Sequence, residues 1–307
     1  MAEWMTNVSR EKSVKVSLEQ WQMLSALESC GSYQAAAEAL GKSQSTVSYG
    51  IKQLQEGLGV PLLEIQGRRA VLTEAGNAIL RRARGLLEEA KALEAMSVDL
   101  AAGWEPEVRL AVDMIFPDEL LFEALALFAP ESRGSRVEVI SSTLSGTQDA
   151  VLHGEAELAI CGQMPTGFSG ERLLQLDFVA VAHPAHPLFS VEGEITEKDL
   201  KKHRQLVVRD SGTKRRLDSG WLGAEQRWTT SSFEQSAELV KRNLGFAFLP
   251  EHRVGKALAA GDIKHLSQVE NTKRGIYCHL AFPDKECIGP ATQLLSEKLR
   301  QVCRSNA

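Results

Sequence analysis

Residues 31 to 48 run Gly31-Ser-Tyr-Gln-Ala-Ala-Ala-Glu-Ala-Leu-Gly-Lys-Ser-Gln-Ser-Thr-Val-Ser48, with serines ahead of helical runs and glycines behind them. Ser32 is placed to cap a helix from Tyr33 to Leu40, in which Ala35, Ala36, Ala37 and Ala39 permit close approach of a neighbour, and Gly41 stops it. Ser43 caps the next helix, whose Val47, Ile51, Leu54 and Leu58 make one apolar stripe. Upstream, Ser17 and Gln20 form a capping-box pair, Leu18, Trp21, Leu24 and Leu27 recur at i+3, and Gly31 closes that helix. Three short helices with glycine-marked turns in about 40 residues predict a helix-turn-helix module.

Working outward, Leu62–Ile65 and Ala70–Leu72 are β-prone and meet at Gln66-Gly67, a small hairpin or wing with Arg68 and Arg69 at its tip. Thr73 with Glu74 starts a long helix carrying Leu80, Leu86, Leu87, Leu93 and Leu100 to Gly103, roughly 43 Å at 1.5 Å per residue. Gly76 and Gly85 interrupt its seam. Such a helix is expected to pack on its counterpart in a second subunit. Residues 1–16 are polar and aperiodic, a loose tail.

Gly103-Trp-Glu-Pro106 marks a hinge, after which strands and helices alternate. Strands are predicted at Val108–Val112, Val137–Ile140, Glu157–Ile160, Phe178–Ala182, Gln205–Val208, Ala247–Leu249 and Ile276–Phe282. Helices are predicted at Pro117–Phe128, Gly146–His153, Thr196–Lys201, Phe233–Asn243 and Pro290–Arg300. This alternation predicts a mostly parallel sheet covered by helices.

A length of 307 residues suggests about two domains. With 43% hydrophobic and 24% charged residues, the chain is able to bury a sizeable core. No stretch reaches the ~18 uncharged apolar residues of a membrane span, and the start lacks the plan of a signal peptide, so a cytoplasmic protein is expected. The net charge of -5 argues against a general polyanion binder, so local charge decides. From Leu40 to Arg84 seven basic side chains face three acidic ones, a local +4 that leaves -9 on the other 262 residues. Positive charge thus gathers around the third helix and wing, where phosphates would be neutralised.

Cys30, Cys161, Cys278, Cys287 and Cys303 are scattered, with no paired motif and no zinc spacing. Reduced buried thiols are expected; redox sensing through Cys161 or the Cys278/Cys287 pair is the alternative. No phosphate-binding glycine motif, nucleophile elbow or H-E-x-x-H is present, and His183, His186 and His203 have no partners at recognisable spacing. Neither catalytic residues, cofactor nor metal is therefore expected.

Gly31-Ser-Tyr-Gln-Ala-Ala-Ala-Glu-Ala-Leu, Ser43-Gln-Ser-Thr-Val-Ser, Leu58-Gly-Val-Pro-Leu-Leu and Arg68-Arg-Ala-Val-Leu-Thr-Glu-Ala-Gly together resemble the winged helix-turn-helix of LysR-type transcriptional regulators. The later Ala156-Glu-Leu-Ala-Ile-Cys, His183-Pro-Ala-His-Pro-Leu, Leu206-Val-Val-Arg-Asp-Ser-Gly and Leu244-Gly-Phe-Ala-Phe-Leu-Pro resemble the family's effector-binding portion. The resemblance implies an α/β protein with an N-terminal winged helix-turn-helix (17–75), a linker helix for dimerisation (76–103) and a two-lobed, periplasmic-binding-protein-like effector domain (107–307). Lobe I would comprise about 107–165 and 272–307, and lobe II about 166–271. It also implies a repressor or activator that binds operator DNA as a homodimer or homotetramer, answers to a small-molecule effector, and has RNA polymerase as a further partner. The chain departs from the family at Tyr49, often basic, at Leu63-Glu-Ile65, often Phe-x-Arg, and at Gln55, usually Glu.

The third helix offers Gln44, Ser45, Thr46, Ser48, Tyr49 and Lys52 to the major groove, with Ser43 at its cap and Tyr33 and Gln34 on the helix that crosses behind. Gln44 can pair with adenine through both its amide atoms, while Arg68 and Arg69 would meet phosphate or the minor groove. In the effector domain, ligands sit outside the carboxyl ends of strands. That places Asp113, Met114, Ile115, Ser142, Thr143, Ser145, Thr147, Cys161, Arg209, Ser211, Ser232 and Phe233 at the cleft. The hydroxyls from Ser142 to Thr147 lie before or at a helix N-terminus and suit an anion; Asp113-Met-Ile-Phe, where the family often has Ser or Thr, suggests a less anionic or more apolar effector. A solute-binding module of periplasmic type is the alternative; it would leave the N-terminal helices unexplained.

Overall fold

The structure is a computed structural model that describes residues 14–66, 69–212, 220–267, 269, 274–284 and 288–306. The chain divides into two compact units, Met1–Val98 and Asp99–Ala307.

The first unit is built from α1 (Leu18–Cys30), α2 (Tyr33–Ala39), α3 (Gln44–Leu58), β1 (Leu63–Gln66), β2 (Arg69–Leu72) and the first part of α4 (Glu74–Ala101). Local chemistry sets its boundaries. The Ser17 hydroxyl accepts from Gln20 N at 3.2 Å while Gln20 Oε1 accepts from Ser17 N at 2.8 Å, the reciprocal capping box. Gly31 ends α1 at φ 73, a left-handed conformation that glycine adopts without strain. Leu24, Leu27, Ile51, Leu54, Leu62 and Leu80 form the core of this unit. β1 and β2 pair antiparallel with Gln66 opposite Arg69. Gly76 does not interrupt the α4 seam: it is buried, and a Cβ there would collide with the Leu62 carbonyl, so it is the point where the wing meets the helix.

The second unit carries β3 (Glu107–Asp113), α5 (Asp118–Phe128), β4 (Arg136–Ser142), α6 (Ser145–Leu152), β5 (Leu158–Cys161), β6 (Gly170–Ala182), α7 (Glu197–Lys201), β7 (Gln205–Val208), β8 (Arg227–Thr230), α8 (Phe233–Lys241), β9 (Phe246–Pro250), α9 (Glu251–Ala260), β10 (Lys264–His265), β11 (Arg274–Ala281) and α10 (Pro290–Ser305). The sheet order is β4-β3-β5-β11-β6-β9-β7-β8, with β10 on β6. It is parallel only at its flanks, where β3 pairs β4 and β5 and where β7 pairs β8 and β9. The middle is antiparallel because β6 and β11, the two crossings between lobes, run against each other and against their neighbours. The alternation of strands and helices describes the two flanks but not β6 and β11, so a sheet read from alternation alone comes out too parallel.

β6 begins eight residues before the predicted Phe178, because Gly170–Asp177 pairs along β11 without clean alternation of polar and apolar residues. Sequence periodicity missed β8, an exposed edge strand, and α9, whose Gly255 masks a helix started at Glu251. Leu110, Leu158, Ile160, Leu280, Leu295 and Leu299, all fully buried, belong to one core in which α10 packs on α5 and β6; each such leucine contributes about 1.5–3 kcal/mol on burial.

Candidate functional site

α3 presents two opposed faces. Val47, Gly50, Ile51 and Leu54 are buried, while Gln44, Ser45, Thr46, Ser48, Tyr49 and Lys52 are exposed, Tyr49 at 66%. The Ser43 hydroxyl caps the helix, accepting from Thr46 N at 3.1 Å, and bonds the Ser45 and Thr46 hydroxyls at 2.8 and 2.7 Å. These three hydroxyls engage one another, whereas the side chains of Gln44, Ser48 and Tyr49 make no hydrogen bond among the described residues. Tyr33 is half-buried, and desolvation raises its hydroxyl pKa. Gln34 is exposed and donates to Glu38 at 2.9 Å.

The basic side chains are not equivalent. Lys42 pairs with Glu19 and Arg84 with Glu28, each at 2.5 Å, so two of the positive charges in the Leu40–Arg84 stretch are neutralised by carboxylates outside it. Arg69, Arg81 and Arg82 are exposed and have no acidic partner among the described residues. Arg68 lies outside them. The wing is anchored by Gln55, whose Oε1 accepts from Leu62 N at 2.8 Å and Leu63 N at 3.1 Å. An amide oxygen here does what the carboxylate of the family's usual Glu would do.

In the second unit a cavity of about 340 Å³ opens at the carboxyl ends of the strands, with Asp113, Ile115, Thr143 and Phe233 among its walls. Asp113 closes β3 and is 1% exposed. Its carboxylate accepts from Ile115 N and Leu144 N, both at 3.2 Å, and from the backbone of Gly162. Burial pushes its pKa up to about 6 despite these bonds, and the nearby Asp210 adds to the rise.

The hydroxyls of the α6 N-terminus are already engaged. Ser142 and Thr147 bond each other at 2.7 Å. Ser145 donates its backbone N–H to Asp210 Oδ1 at 3.0 Å and its hydroxyl to Oδ2 at 2.5 Å. Thr143 N donates to the Ser211 hydroxyl at 2.7 Å. Gly146 admits this approach, because a Cβ there would overlap the Ser211 hydroxyl. Leu144, just before α6, sits at φ 52, a strained backbone for a side chain with a Cβ. Met114 accepts the Thr143 hydroxyl at its sulfur, 3.2 Å away. Cys161 is buried in the strand core and Ser232 caps α8 through Gln235 N at 3.2 Å, while the Arg209 backbone N–H bonds Thr230 O at 3.0 Å. Met114, Ser142, Ser145, Thr147, Cys161, Arg209, Ser211 and Ser232 thus lie behind or beside the cavity rather than on its wall.

Comparison with known proteins assigns a family to each unit. Residues 18–77 match the family described as bacterial regulatory helix-turn-helix protein, lysR family, and residues 101–304 match the LysR substrate binding domain. The chain belongs to the LysR family of transcriptional regulators. It is 31% identical over 265 residues to the HTH-type transcriptional regulator YeeY of Escherichia coli K12, covering 84% of this chain and 85% of YeeY. It is 30% identical over 261 residues to the probable regulator YhaJ of the same organism, covering 83% and 87%. Its fold is that of full-length LysG from Corynebacterium glutamicum with bound effector Arg, at a TM-score of 0.52 and 20% identity over 94% of this chain and 99% of LysG. This LysR-type regulator therefore couples a DNA-binding module to an effector-binding domain.

In the regulator's effector domain, several residues that matter to the cavity were not singled out from sequence. Asp210 lies between Arg209 and Ser211, both expected at the cleft; its place just past the end of β7 was the available signal. Gln205 of β7, Phe248 of β9 and Trp221 of the segment before β8 line the cavity, and no spacing in the chain links them. Arg253 of α9 is pinned by Asp118 at 2.5 and 3.0 Å and donates to the carbonyls of Met114 and Phe116 at 2.8 and 3.0 Å, fixing the segment after β3 to α9.

The buried thiols of Cys161, Cys278 and Cys303 are held protonated. Burial pushes Cys161 up to about 12 and Cys303 up to about 11, and raises Cys278 as well. Cys287 lies outside the described residues. His186 and His203 meet edge to face with ring centroids 5.0 Å apart, and desolvation lowers His186 to about 4. Its Nδ1 accepts from Leu188 N at 3.2 Å, a structural use of a neutral ring. Among the described residues no group of His, Cys, Asp and Glu could hold a metal ion, and no helix is long and apolar enough to cross a membrane.

Proposed function

We propose that the exposed face of α3 enters the major groove of operator DNA and that the protein acts as an effector-controlled switch without a catalytic step. The observation that carries this is the division of α3 into a buried apolar face and an exposed face bearing Gln44, Ser48, Tyr49 and Lys52. Gln44, Ser48 and Tyr49 would meet base edges, while Lys52, Arg69, Arg81 and Arg82 would neutralise phosphates. Ser43, Ser45 and Thr46 would shape the helix start, Tyr33 and Gln34 would support it from α2, and Arg68 would join Arg69 at the wing.

On this reading α4 joins two subunits. Leu86, Leu93 and Leu100, 56%, 67% and 45% exposed, repeat every seven residues, the period of a coiled-coil seam. A dimer would read two half-sites, and two dimers would make the family's tetramer. An effector in the cavity would shift the subunit arrangement and so the spacing or bend of the DNA, with RNA polymerase as the downstream partner. Asp113, Ile115, Thr143 and Phe233 would touch the effector; Met114, Ser142, Ser145, Thr147, Cys161, Arg209, Ser211 and Ser232 would support the walls.

The test is fluorescence anisotropy with the protein's own upstream DNA and a random duplex at several salt concentrations. Gln44→Ala should lose the preference for upstream DNA. Arg69→Ala should weaken both duplexes alike and lower the salt slope by about 0.9. Equal losses from both variants on both duplexes would remove the distinction between base reading and phosphate contact.

A further inference from the structure

Gly103-Trp104-Glu105-Pro106, expected from sequence to be a hinge, is held at every residue. Gly103 N donates to Leu100 O and Trp104 N to Asp99 O, each at 3.0 Å, with Gly103 at φ 82. These two bonds are the left-handed closure that ends a helix and fixes the direction in which the chain leaves it. Trp104 Nε1 donates to Ser132 O at 3.1 Å and to the Ser135 hydroxyl at 2.8 Å, and Ser135 donates in turn to Glu105 O. The Glu105 carboxylate caps α10, accepting from Ala291 N at 2.8 Å and Thr292 N at 3.1 Å. A Cβ on Gly289 would overlap that carboxylate. Pro106 O accepts from Arg136 N at 2.9 Å.

Arg133 completes the arrangement from the turn before β4. Its guanidinium lies over the Trp104 ring, 4.3 Å from the centroid, and its Nη1 donates to Asp99 Oδ1 at 2.6 Å. One half-exposed side chain thereby grips both the last turn of α4 and the chain that leaves it. Arg133 holds φ 51, a left-handed backbone that residues with a Cβ rarely adopt. The boundary between the two compact units falls at the same place. Asp99 belongs to the second unit, although α4 runs without interruption from Glu74 to Ala101. Leu87 is the last α4 residue in the core of the first unit, and from Glu88 to Val98 only Ala90 is even half-buried.

We propose that Arg133 makes the last turn of α4 a fixed part of the effector-binding domain, so that flexing between the two units takes place within α4 upstream of Asp99 and not at residues 103–106. A change in the domain then moves the end of α4 directly, through this clamp. The coupling role rests on the reading of the protein as an effector-controlled switch; the clamp itself does not.

Hydrogen exchange followed by mass spectrometry, on the full-length protein with and without saturating upstream DNA, tests both parts. In the parent, the amides of residues 103–105 should be as protected as those of β3. Arg133→Ala should exchange about fivefold faster there, the worth of one exposed ion pair and one cation–π contact, with residues 18–72 unchanged. Arg133→Lys, which keeps the charge, should recover most of the protection. If a ligand in the domain is felt at the DNA, DNA must be felt in the domain. Upstream DNA should therefore change exchange across residues 113–145 in the parent and not in Arg133→Ala.

Exchange at 103–105 in the parent as fast as in an unstructured peptide would restore the hinge and overturn the proposal, as would unchanged exchange in Arg133→Ala. If DNA changes residues 113–145 equally in the parent and in Arg133→Ala, the switch reading stands and the coupling role of Arg133 falls. If the clamp behaves as expected but DNA leaves residues 113–145 of the parent unchanged, the clamp stands and the switch reading falls.

Discussion

Asp210 caps Ser145 across the cleft: one carboxylate oxygen takes the Ser145 backbone N–H at 3.0 Å and the other its hydroxyl at 2.5 Å. A residue from the loop after β7 thereby satisfies the start of α6, where the helix dipole favours negative charge. Together with Ser211 on Thr143 and Arg253 on Asp118, it ties the loop after β7 and α9 to the segments before α5 and α6.

Removing that carboxylate should destabilise the start of α6. Asp210→Ala is expected to cost about 1–2 kcal/mol, the value of a lost helix cap, and Asp210→Ser to recover part of it. Urea denaturation of the parent and both variants measures this. Three coincident curves would show that the cap contributes nothing.

Asp113 gives a pH signature of defined sign. Its folded pKa of about 6 lies above the ordinary value of about 3.9. The folded state therefore holds its proton more tightly, and stability falls as pH rises from about 4 to 6, leaving a constant penalty above. Relative to Asp113→Asn, which cannot titrate, the parent should lose on the order of 1–3 kcal/mol across that window. Parallel stability profiles for the two proteins from pH 4 to 7 would refute the buried ionisation.

Gln55 holds the wing through its oxygen alone. Gln55→Glu keeps that acceptor and should leave thermal stability and DNA binding near the parent, whereas Gln55→Ala strands two backbone N–H groups. The alanine variant is expected to lose about 1–3 kcal/mol and to weaken DNA binding. Thermal melts with DNA titrations decide it; an alanine variant as stable as the parent would rule out the anchor.

The exposed stripe on α4 predicts assembly. Leu93→Glu puts a charge in the middle of the seven-residue repeat and should shift the protein toward monomer in sedimentation-velocity runs. Glu94→Ala, a neighbouring change that adds no charge to the stripe, should leave the mass unchanged. An undiminished oligomer in Leu93→Glu would move the subunit contact elsewhere.

The local structure of the DNA-binding module was legible in the chain alone. Ser17, Ser32, Ser43 and Gly31 act on backbone groups within four residues, so caps and turns follow from sequence, and the buried stripe of α3 follows from helical period. β7 was likewise readable to the residue. Charge was only half readable, because Lys42 and Arg84 are neutralised by Glu19 and Glu28, carboxylates 23 and 56 positions away. The cleft was decided by tertiary structure. Gln205, Trp221, Phe248, Asp113 and Asp210 share no spacing and meet only when β6 and β11 cross between the lobes. Hydrogen bonds and burial made at such distances obey packing rather than periodicity, and they turned a row of hydroxyls suited to an anion into a helix start capped by the protein's own carboxylate.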